Sequence, residues 1–165
     1  MNPEIESLRD ADGTLGPDAV MSVIPYAPPF LFVSRITHLE AEYVEGTYDI
    51  SDAENLVSSH FTGFPVMPAS LMTEGFGQTG TVLIRYNLAN HQDREILIYR
   101  TEDARYKRPA FPGDTLTYCV HLKTMDKRAA RLEGEIQKNG TAIASCRLVM
   151  TIQDRDAFRS TAGSS

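Results

Sequence analysis

A chain of 165 residues with 42% hydrophobic and 23% charged residues is expected to form one globular domain with a sizeable core. Its formal net charge of −6 argues against a nucleic-acid-binding protein, which usually presents a basic face. No apolar run approaches the roughly 20 residues of a membrane helix. Residues 1–12 also lack a signal-peptide pattern. We therefore expect a cytoplasmic protein without membrane association.

The N-terminal third of the chain predicts an arm, a short helix and two strands. Residues 1–16 are polar and contain glycine, which is typical of a flexible arm. Residues 17–24 begin with proline and predict a short helix. The apolar run at residues 30–37 predicts a strand, as do the mixed β-branched and aromatic residues 43–50. Residues 51–68, rich in Ser, Gly and Pro, predict a loop.

Residues 69–88 predict a long buried helix, because apolar side chains recur at i, i+3 and i+4. Only Glu74 and Arg85 are charged in this stretch. The helix also contains three glycines, which cost helix propensity on the order of 1 kcal/mol each. We expect them where the helix packs closely against a sheet or a partner chain: Gly75, Gly77 and Gly80.

The remainder of the chain predicts four strands, because apolar and polar residues alternate. Asn139-Gly140 predicts a tight hairpin. The strands are expected at residues 95–106, 116–123, 130–136 and 142–152, and a flexible tail at 154–165. Strands and helix are segregated, which indicates an α+β fold. We predict one domain over residues 17–153, in which a curved antiparallel sheet of about six strands wraps around the long helix.

Two cysteines do not make a disulfide framework in a chain of this length. Cys119 and Cys146 each lie in an alternating apolar stretch. We expect both to be reduced, partly buried thiols. No Cys, His or Asp spacing predicts a metal site.

The predicted chemistry centres on His60 and Glu74. His60 lies in a loop just before the helix, and Glu74 lies on the second helical turn. A carboxylate on an apolar helix is costly to bury unless it is paired or neutral. Burial generally raises a carboxyl pKa, while an imidazole titrates at about pH 6.5. The two residues therefore suit an acid–base pair. From these residues alone, a structural histidine and a simple ion pair remain alternatives.

The start of the helix predicts a site for a carbonyl oxygen. Pro68, Ala69 and Ser70 should leave backbone N–H groups free at the positive end of the helix dipole. Such donors polarise a carbonyl group and make its α-proton easier to remove.

Residues 60–74 read His-Phe-Thr-Gly-Phe-Pro-Val-Met-Pro-Ala-Ser-Leu-Met-Thr-Glu. This segment resembles the active-site segment of the 3-hydroxyacyl-acyl-carrier-protein dehydratases of the FabZ/FabA type, where a His-Phe-x-Gly-x-Pro loop precedes an acidic residue on the central helix. Gln78 fits the Glu-x-x-x-Gln pattern of FabZ-like chains. Pro29-Phe-Leu-Phe-Val-Ser-Arg35 and Ala104-Arg-Tyr-Lys-Arg-Pro109 are similar to the family's Pro-Phe-Leu-Leu-Val-Asp-Arg and Ala-Arg-Phe-Lys-Arg-Pro runs.

The resemblance implies a hotdog fold that works as a dimer, and trimers of dimers are common among FabZ-like relatives. His60 would take the α-proton, and Glu74 of the other subunit would protonate the departing hydroxyl. The substrate would be carried on the phosphopantetheine of an acyl carrier protein, with no other cofactor and no metal. The substrate-binding residues implied are Gly63, Phe64, Val66, Pro68, Ala69, Ser70 and Gln78.

The chain departs from the family pattern at a few positions. Ala69 stands where Gly is usual, Ser59 replaces Gly before the histidine, and Ser34 replaces an Asp that would pair with Arg35. These departures indicate a divergent member, in fatty acid or polyketide-type biosynthesis. An acyl thioesterase on the same fold and a non-catalytic acyl-binding subunit remain alternative functions.

Arg105, Lys107 and Arg108 form a basic cluster in an acidic chain. They form either a solvated strand face or the surface on which an acidic acyl carrier protein docks. Charge complementarity of this kind raises association rate and specificity. Strand alternation would place Arg105 and Lys107 on one face and Arg108 on the other.

Overall fold

The computed structural model describes residues 1–51 and 56–161. Its main feature is a six-stranded antiparallel sheet that packs on one long helix. The helices are α1 (Pro3–Glu6), α2 (Pro17–Val23), α3 (Ala69–Tyr86) and α4 (Arg155–Ser160). The strands are β1 (Arg35–Leu39), β2 (Tyr43–Asp49), β3 (Arg94–Tyr106), β4 (Thr115–Met125), β5 (Ala129–Lys138) and β6 (Thr141–Asp154). The sheet order is β1-β2-β4-β5-β6-β3, which confirms the predicted α+β class.

Helix α3 forms the centre of the core and contacts five of the six strands. Its glycines lie where the sheet approaches most closely. A Cβ added at Gly75 would overlap the hydroxyl of Tyr118, and one at Gly80 would overlap Leu132. The predicted close packing of these glycines against a sheet is therefore correct, and the loss of helix propensity is offset by tighter burial.

The hairpin between β5 and β6 has the predicted geometry. Asn139 and Gly140 adopt φ angles of 51° and 72°. Two consecutive left-handed residues give the turn a twist that matches the flanking strands. This turn fixes the register in which Lys138 pairs with Thr141.

The first strand begins later than predicted. Residues 30–34 lie outside β1, which starts at Arg35. The N–H of Phe32 donates to the side chain of Gln78 instead of to a neighbouring strand. Phe32 and Val33 are nevertheless buried. The apolar run therefore predicted burial correctly, but its N–H groups have three different kinds of partner. Phe32 donates to Gln78 of α3, Ser34 to Thr47 of β2, and Phe30 to Ala27.

The expectation of a flexible N-terminal arm is wrong, because residues 1–16 pack on the domain. Ile5 and Leu15 are fully buried, and Leu15 forms a β-bridge with Ile36. The side chain of Asn2 caps α1 and also donates to the carbonyl of Leu88, at 2.7 Å. A few well-placed apolar residues anchor a segment whose average composition is polar.

The C-terminal segment is also more ordered than a tail. Helix α4 begins after Asp154, whose carboxylate accepts a hydrogen bond from the N–H of Ala157 at 3.0 Å. Residues 162–165 of the predicted tail lie outside the described residues. Within the described part of the chain, no helix combines the length and apolar character needed to cross a membrane.

Candidate active site

The loop before α3 holds the imidazole of His60 in one orientation. Its Nδ1 lies 2.8 Å from the carbonyl oxygen of Val66. A carbonyl oxygen can only accept, so Nδ1 carries the proton and Nε2 carries the lone pair. His60 is half-buried. This arrangement leaves Nε2 able to take a proton from a substrate.

The backbone beside His60 adopts unusual conformations. Phe61 has φ of 57° and Gly63 has φ of 84°. Gly63 adopts this left-handed conformation without steric cost, whereas the same conformation is sterically unfavourable for a non-glycine residue such as Phe61. The N–H of Phe64 closes the turn on the carbonyl of Phe61 at 2.8 Å. Strained residues of this kind cluster at functional sites.

The carboxylate of Glu74 is held by Gln78, one helical turn further along α3. Nε2 of Gln78 donates to Oε1 of Glu74 at 3.1 Å and to the carbonyl of Phe30, also at 3.1 Å. Its Oε1 accepts from the N–H of Phe32 at 2.8 Å. Gln78 is fully buried and Glu74 half-buried. The carboxylate is therefore positioned while part of it stays accessible.

His60 and Glu74 do not meet within one subunit. Among the residues that the structure describes, their side chains form neither a hydrogen bond nor an ion pair with each other. His60 lies in the loop that leads into α3, and Glu74 lies on the second turn of that helix. Within the described residues, one chain thus supplies a candidate base and a candidate acid that are not bonded to each other.

The N-terminus of α3 offers backbone donors. Pro68 is the N-cap, and its carbonyl accepts from the N–H of Leu71 and Met72 at 3.0 and 3.1 Å. The N–H groups of Ala69 and Ser70 have no hydrogen-bond partner in the described ranges. Ala69 is the first helical residue and lacks a positive φ, so an alanine there carries no strain.

The remaining predicted substrate-binding residues lie around this loop with different degrees of exposure. Val66 and Pro68 are half-buried, whereas Gly63, Phe64 and Ser70 are exposed. The ring of Phe64 contacts Phe111 edge-to-face, with centroids 5.7 Å apart.

Arg105 of the basic cluster lies on strand β3, whereas the other two residues of the cluster do not lie on a strand. Strand β3 ends at Tyr106, so Lys107 and Arg108 follow it, and both are exposed. Neither forms an ion pair within residues 1–51 and 56–161, whereas Arg105 is paired with Asp103 at 3.2 Å. The N–H of Met67 donates to the carbonyl of Ala110 at 2.9 Å and joins the two segments.

Two contacts near Glu74 were not predicted. The hydroxyl of Thr73 is hydrogen-bonded to that of Tyr106. Tyr106 stands where the family motif has Phe, and this difference was the available signal. The anchoring of Gln78 by the backbone of Phe30 and Phe32 carried no such signal, because main-chain partners are independent of side-chain identity.

Ser34 stands where the family has an acid that would pair with Arg35, and the N-terminal segment supplies other partners for this arginine. The guanidinium of Arg35 contacts Asp10 at 3.4 Å and donates to the hydroxyl of Thr14 at 2.6 Å. Ser59, the other departure near the site, is exposed.

Comparison with known proteins identifies relatives over most of the chain. The family model described as a FabA-like domain matches residues 24–147. The 3-hydroxyacyl-[acyl-carrier-protein] dehydratase FabZ of Herpetosiphon aurantiacus is 32% identical over 136 residues, covering 82% of this chain and 96% of the relative. FabZ of Solibacter usitatus is 28% identical over 139 residues, covering 83% and 85%.

Solved structures share the fold at lower identity. The dehydratase heterocomplex ApeI:P from Xenorhabdus doucetiae matches with a TM-score of 0.73 and 17% identity, over 87% of this chain and 96% of that chain. A hypothetical thioesterase with coenzyme A from Streptococcus pneumoniae matches with a TM-score of 0.54 and 13% identity, over 72% and 84%. At these identities the comparison supports the hotdog fold alone.

Proposed function

Since this chain belongs to the FabA-like domain family, we propose that its His60 and Glu74 dehydrate a 3-hydroxyacyl thioester to the 2-enoyl thioester. The activity is that of a 3-hydroxyacyl-[acyl-carrier-protein] dehydratase, a lyase of fatty acid biosynthesis. The observation that carries the assignment of roles is the hydrogen bond from Nδ1 of His60 to Val66, which leaves Nε2 as a base.

The proposed reaction consists of two proton movements around one carbon–carbon bond. Nε2 of His60 removes the proton from C2, and the electron pair forms the C2–C3 double bond. The C3–O bond breaks, and protonated Glu74 gives its proton to the departing hydroxyl, which leaves as water. Transfer of a proton from His60 to Glu74 restores the starting state. The reaction involves no change of oxidation state, so it requires no redox cofactor.

The free N–H groups of Ala69 and Ser70 are suited to bind the thioester oxygen. Negative charge develops on that oxygen as the C2 proton leaves, and the positive end of the α3 dipole stabilises it. The residues of the loop before α3 are suited to form the walls of the substrate site: Gly63, Phe64, Val66 and Pro68.

The proposed unit of function is a dimer formed through the edge strand β3. This strand has 13 residues and lies at the end of the sheet. Leu97, Ile98 and Tyr99 are exposed by 36%, 37% and 71%. A long apolar edge strand readily pairs with another strand. Pairing with a second copy would bury this edge and bring His60 of one subunit towards Glu74 of the other.

The proposed partner for substrate delivery is an acyl carrier protein, docking on Lys107 and Arg108 with Arg105 at its border. The two unpaired cations lie beside the His60 loop and suit an acidic partner. The cytoplasmic location and any trimer of dimers stay predictions.

The main experiment supplies a 3-hydroxyacyl thioester and follows enoyl absorbance together with free thiol. Enoyl formation without thiol release is expected, and thiol release alone would indicate a thioesterase. His60→Ala should lower kcat by about 10²–10⁴-fold. His38→Ala is the control, because His38 lies on the surface and pairs with Glu40. Full activity in His60→Ala would overturn the role of His60.

A mixing experiment tests the shared site. His60→Ala and Glu74→Gln subunits are each inactive, but a mixed dimer would contain one intact site. Statistical mixing makes about half of the dimers mixed, so about a quarter of wild-type activity should return. No recovery after verified subunit exchange would mean that each site is built from one chain.

Docking is tested with the double variant Lys107→Glu/Arg108→Glu. Its KM should rise for the carrier-protein substrate and stay unchanged for a short pantetheine thioester, because the latter has no acidic carrier. An equal KM change for both substrates would contradict the docking surface.

A further inference from the structure

A cavity of about 310 Å³ lies at the C-terminal end of α3, where residues of α2, α4 and the start of β3 converge. Its charged lining is strongly basic, although the chain as a whole carries −6. The basic residues of the lining are Arg85, His91, Arg94, Arg155 and Arg159, and the one acidic residue of the lining is Glu95. His91 contacts Glu4 at 3.3 Å, and Arg94 also lines a neighbouring cavity.

Arg85 brings a positive charge into the interior at this cavity, with only 5% of its surface exposed. Its terminal nitrogens donate to the backbone carbonyls of His91 and Arg94. Its Nε has no partner within the described residues. Carbonyl groups satisfy donors but do not neutralise charge, and burial accordingly lowers the pKa of this guanidinium.

The single carboxylate of the cavity lining already forms an ion pair. Glu95 accepts from Nη2 and Nε of Arg159 at 2.7 and 2.9 Å. Arg155 donates to the carbonyl of Gln92 at 2.9 Å and forms ion pairs with Asp156 at 3.5 Å and with Asp93 at 3.8 Å. The guanidinium of Arg94, half-buried, forms no hydrogen bond or ion pair in the described part of the molecule. Among the described residues, Arg85 and Arg94 therefore carry positive charge that no carboxylate pairs with, and Nε of Arg85 keeps a free N–H.

We propose that this cavity binds a phosphate-bearing anion, either the free ion or a small phosphate ester. Guanidinium groups bind phosphate oxygens through paired, charge-assisted hydrogen bonds. The cavity is large enough for a phosphate group with a small substituent. Arg85 follows Glu74 by eleven residues, which corresponds to roughly 16 Å along the helix. The anion site is thus separate from the acid–base pair of the same chain.

The test is calorimetric titration with inorganic phosphate and, separately, adenosine 5′-monophosphate, at ionic strength held constant with sodium chloride. The wild type should bind in a saturable, one-site manner. Arg94→Gln and Arg155→Gln should each weaken binding by about tenfold or more, the loss expected for one charge-assisted hydrogen bond. Tighter binding of the nucleotide identifies a phosphate ester, and equal affinity identifies the free ion.

Arg131→Gln is the matched control, since Arg131 is a surface arginine on β5 that pairs with Glu102 at 3.1 Å and does not line this cavity. Its affinity for phosphate should equal that of the wild type. Arg85 stays in place in all variants because its replacement endangers folding. In NMR spectra recorded during a phosphate titration, the Nε–H resonance of Arg85 should shift. The dissociation constant fitted to that shift should equal the one from calorimetry.

Three results would overturn the site: no saturable binding by the wild type, equal affinities in all variants, or phosphate binding that is lost in His60→Ala. The last result would place the anion in the active site. Dehydration of a short pantetheine thioester should be unchanged in Arg94→Gln and Arg155→Gln, so a failure of the anion site is distinguishable from a failure of the dehydratase assignment.

Discussion

Nε2 of Gln78 lies 3.1 Å from Oε1 of Glu74, and the same amide is fixed by the backbone of Phe30 and Phe32. The amide has one acceptor and two donor hydrogens, and all three are used. Gln78 therefore cannot rotate without leaving buried backbone groups unpaired. Through this contact, the chain segment before β1 determines where the carboxylate of the active-site helix points.

Replacing Gln78 by Leu should lower kcat by between about tenfold and a hundredfold, because Glu74 loses the group that positions it. KM should change much less, since Gln78 reaches the substrate only through Glu74. Stability should also fall by about 1–3 kcal/mol, since the N–H of Phe32 and the carbonyl of Phe30 are left unpaired. Steady-state kinetics and urea unfolding measure the two effects.

Thr79→Val is the control for that variant. Thr79 is equally buried, and its hydroxyl donates to the carbonyl of Gly75 at 2.8 Å without touching Glu74. It should affect stability without affecting kcat. Equal kcat in Gln78→Leu and the wild type would show that Glu74 does not depend on this contact.

The sequence predicted those elements whose periodicity is strong. The helix was predicted over residues 69–88 and spans Ala69–Tyr86, and each of the last four strands lies within two residues of its predicted bounds. Each of these elements buries one face or one stripe, so the spacing of its apolar residues directly indicates a helix or a strand. The segment at 30–34 was misread because an apolar run reports burial and not the partner of its N–H groups.

The sequence indicated which residues form the candidate site, but it predicted only part of their arrangement in space. His60 and Glu74 were identified from their motif and spacing. The free Nε2 depends on the carbonyl of Val66, and the position of the carboxylate depends on main-chain atoms. In the proposed dimer, contact between the two residues depends on a second subunit. None of these relationships is encoded by side-chain identity within one segment.

Adding one methyl group at Gly75 should lower the unfolding free energy substantially, because the helix is closely packed there. In Gly75→Ala the new Cβ would overlap the hydroxyl of Tyr118 and lie 2.8 Å from the carbonyl oxygen of Phe32. The variant should lose about 1–3 kcal/mol of unfolding free energy despite the better helix propensity of alanine. Urea denaturation gives the value.

Gly77→Ala provides the matched comparison on the same helix. Its Cβ would meet Cδ1 of Ile98 at 2.9 Å, which is the far end of a flexible side chain and can shift by a small amount. Its unfolding free energy should stay within about 1 kcal/mol of the wild type. Equal losses in both variants would mean that helix packing is not limited by Tyr118 and the backbone of Phe32.

The two thiols should be unreactive in the native protein. Burial raises the pKa of Cys146 to about 11 and also raises that of Cys119. Since the thiolate is the reactive form, little reagent should be consumed at pH 8. Reaction with an aromatic disulfide reagent should be slow in buffer and rapid in urea. Fast labelling of one native thiol would contradict its buried position.

The docked N-terminal segment predicts a specific pH dependence of stability. Hydrogen bonds from Arg9 and the hydroxyl of Tyr86 lower the pKa of Glu6 from 4.5 to about 2. A carboxylate with a lowered folded-state pKa stabilises the fold fully above its unfolded pKa and loses that effect as the pH falls towards 2. Because Glu6 is 39% exposed, the contribution should not exceed about 1 kcal/mol.

Glu6→Gln should therefore lower the unfolding free energy by about 0.5–1 kcal/mol at pH 7, and the difference from the wild type should shrink between pH 4.5 and pH 2. Urea unfolding at several pH values measures this difference. Glu42→Gln, at an exposed position, is the control and should match the wild type throughout. A difference that persists unchanged at low pH would mean that the segment is held by the apolar contacts of Ile5 and Leu15, with no contribution from the charge of Glu6.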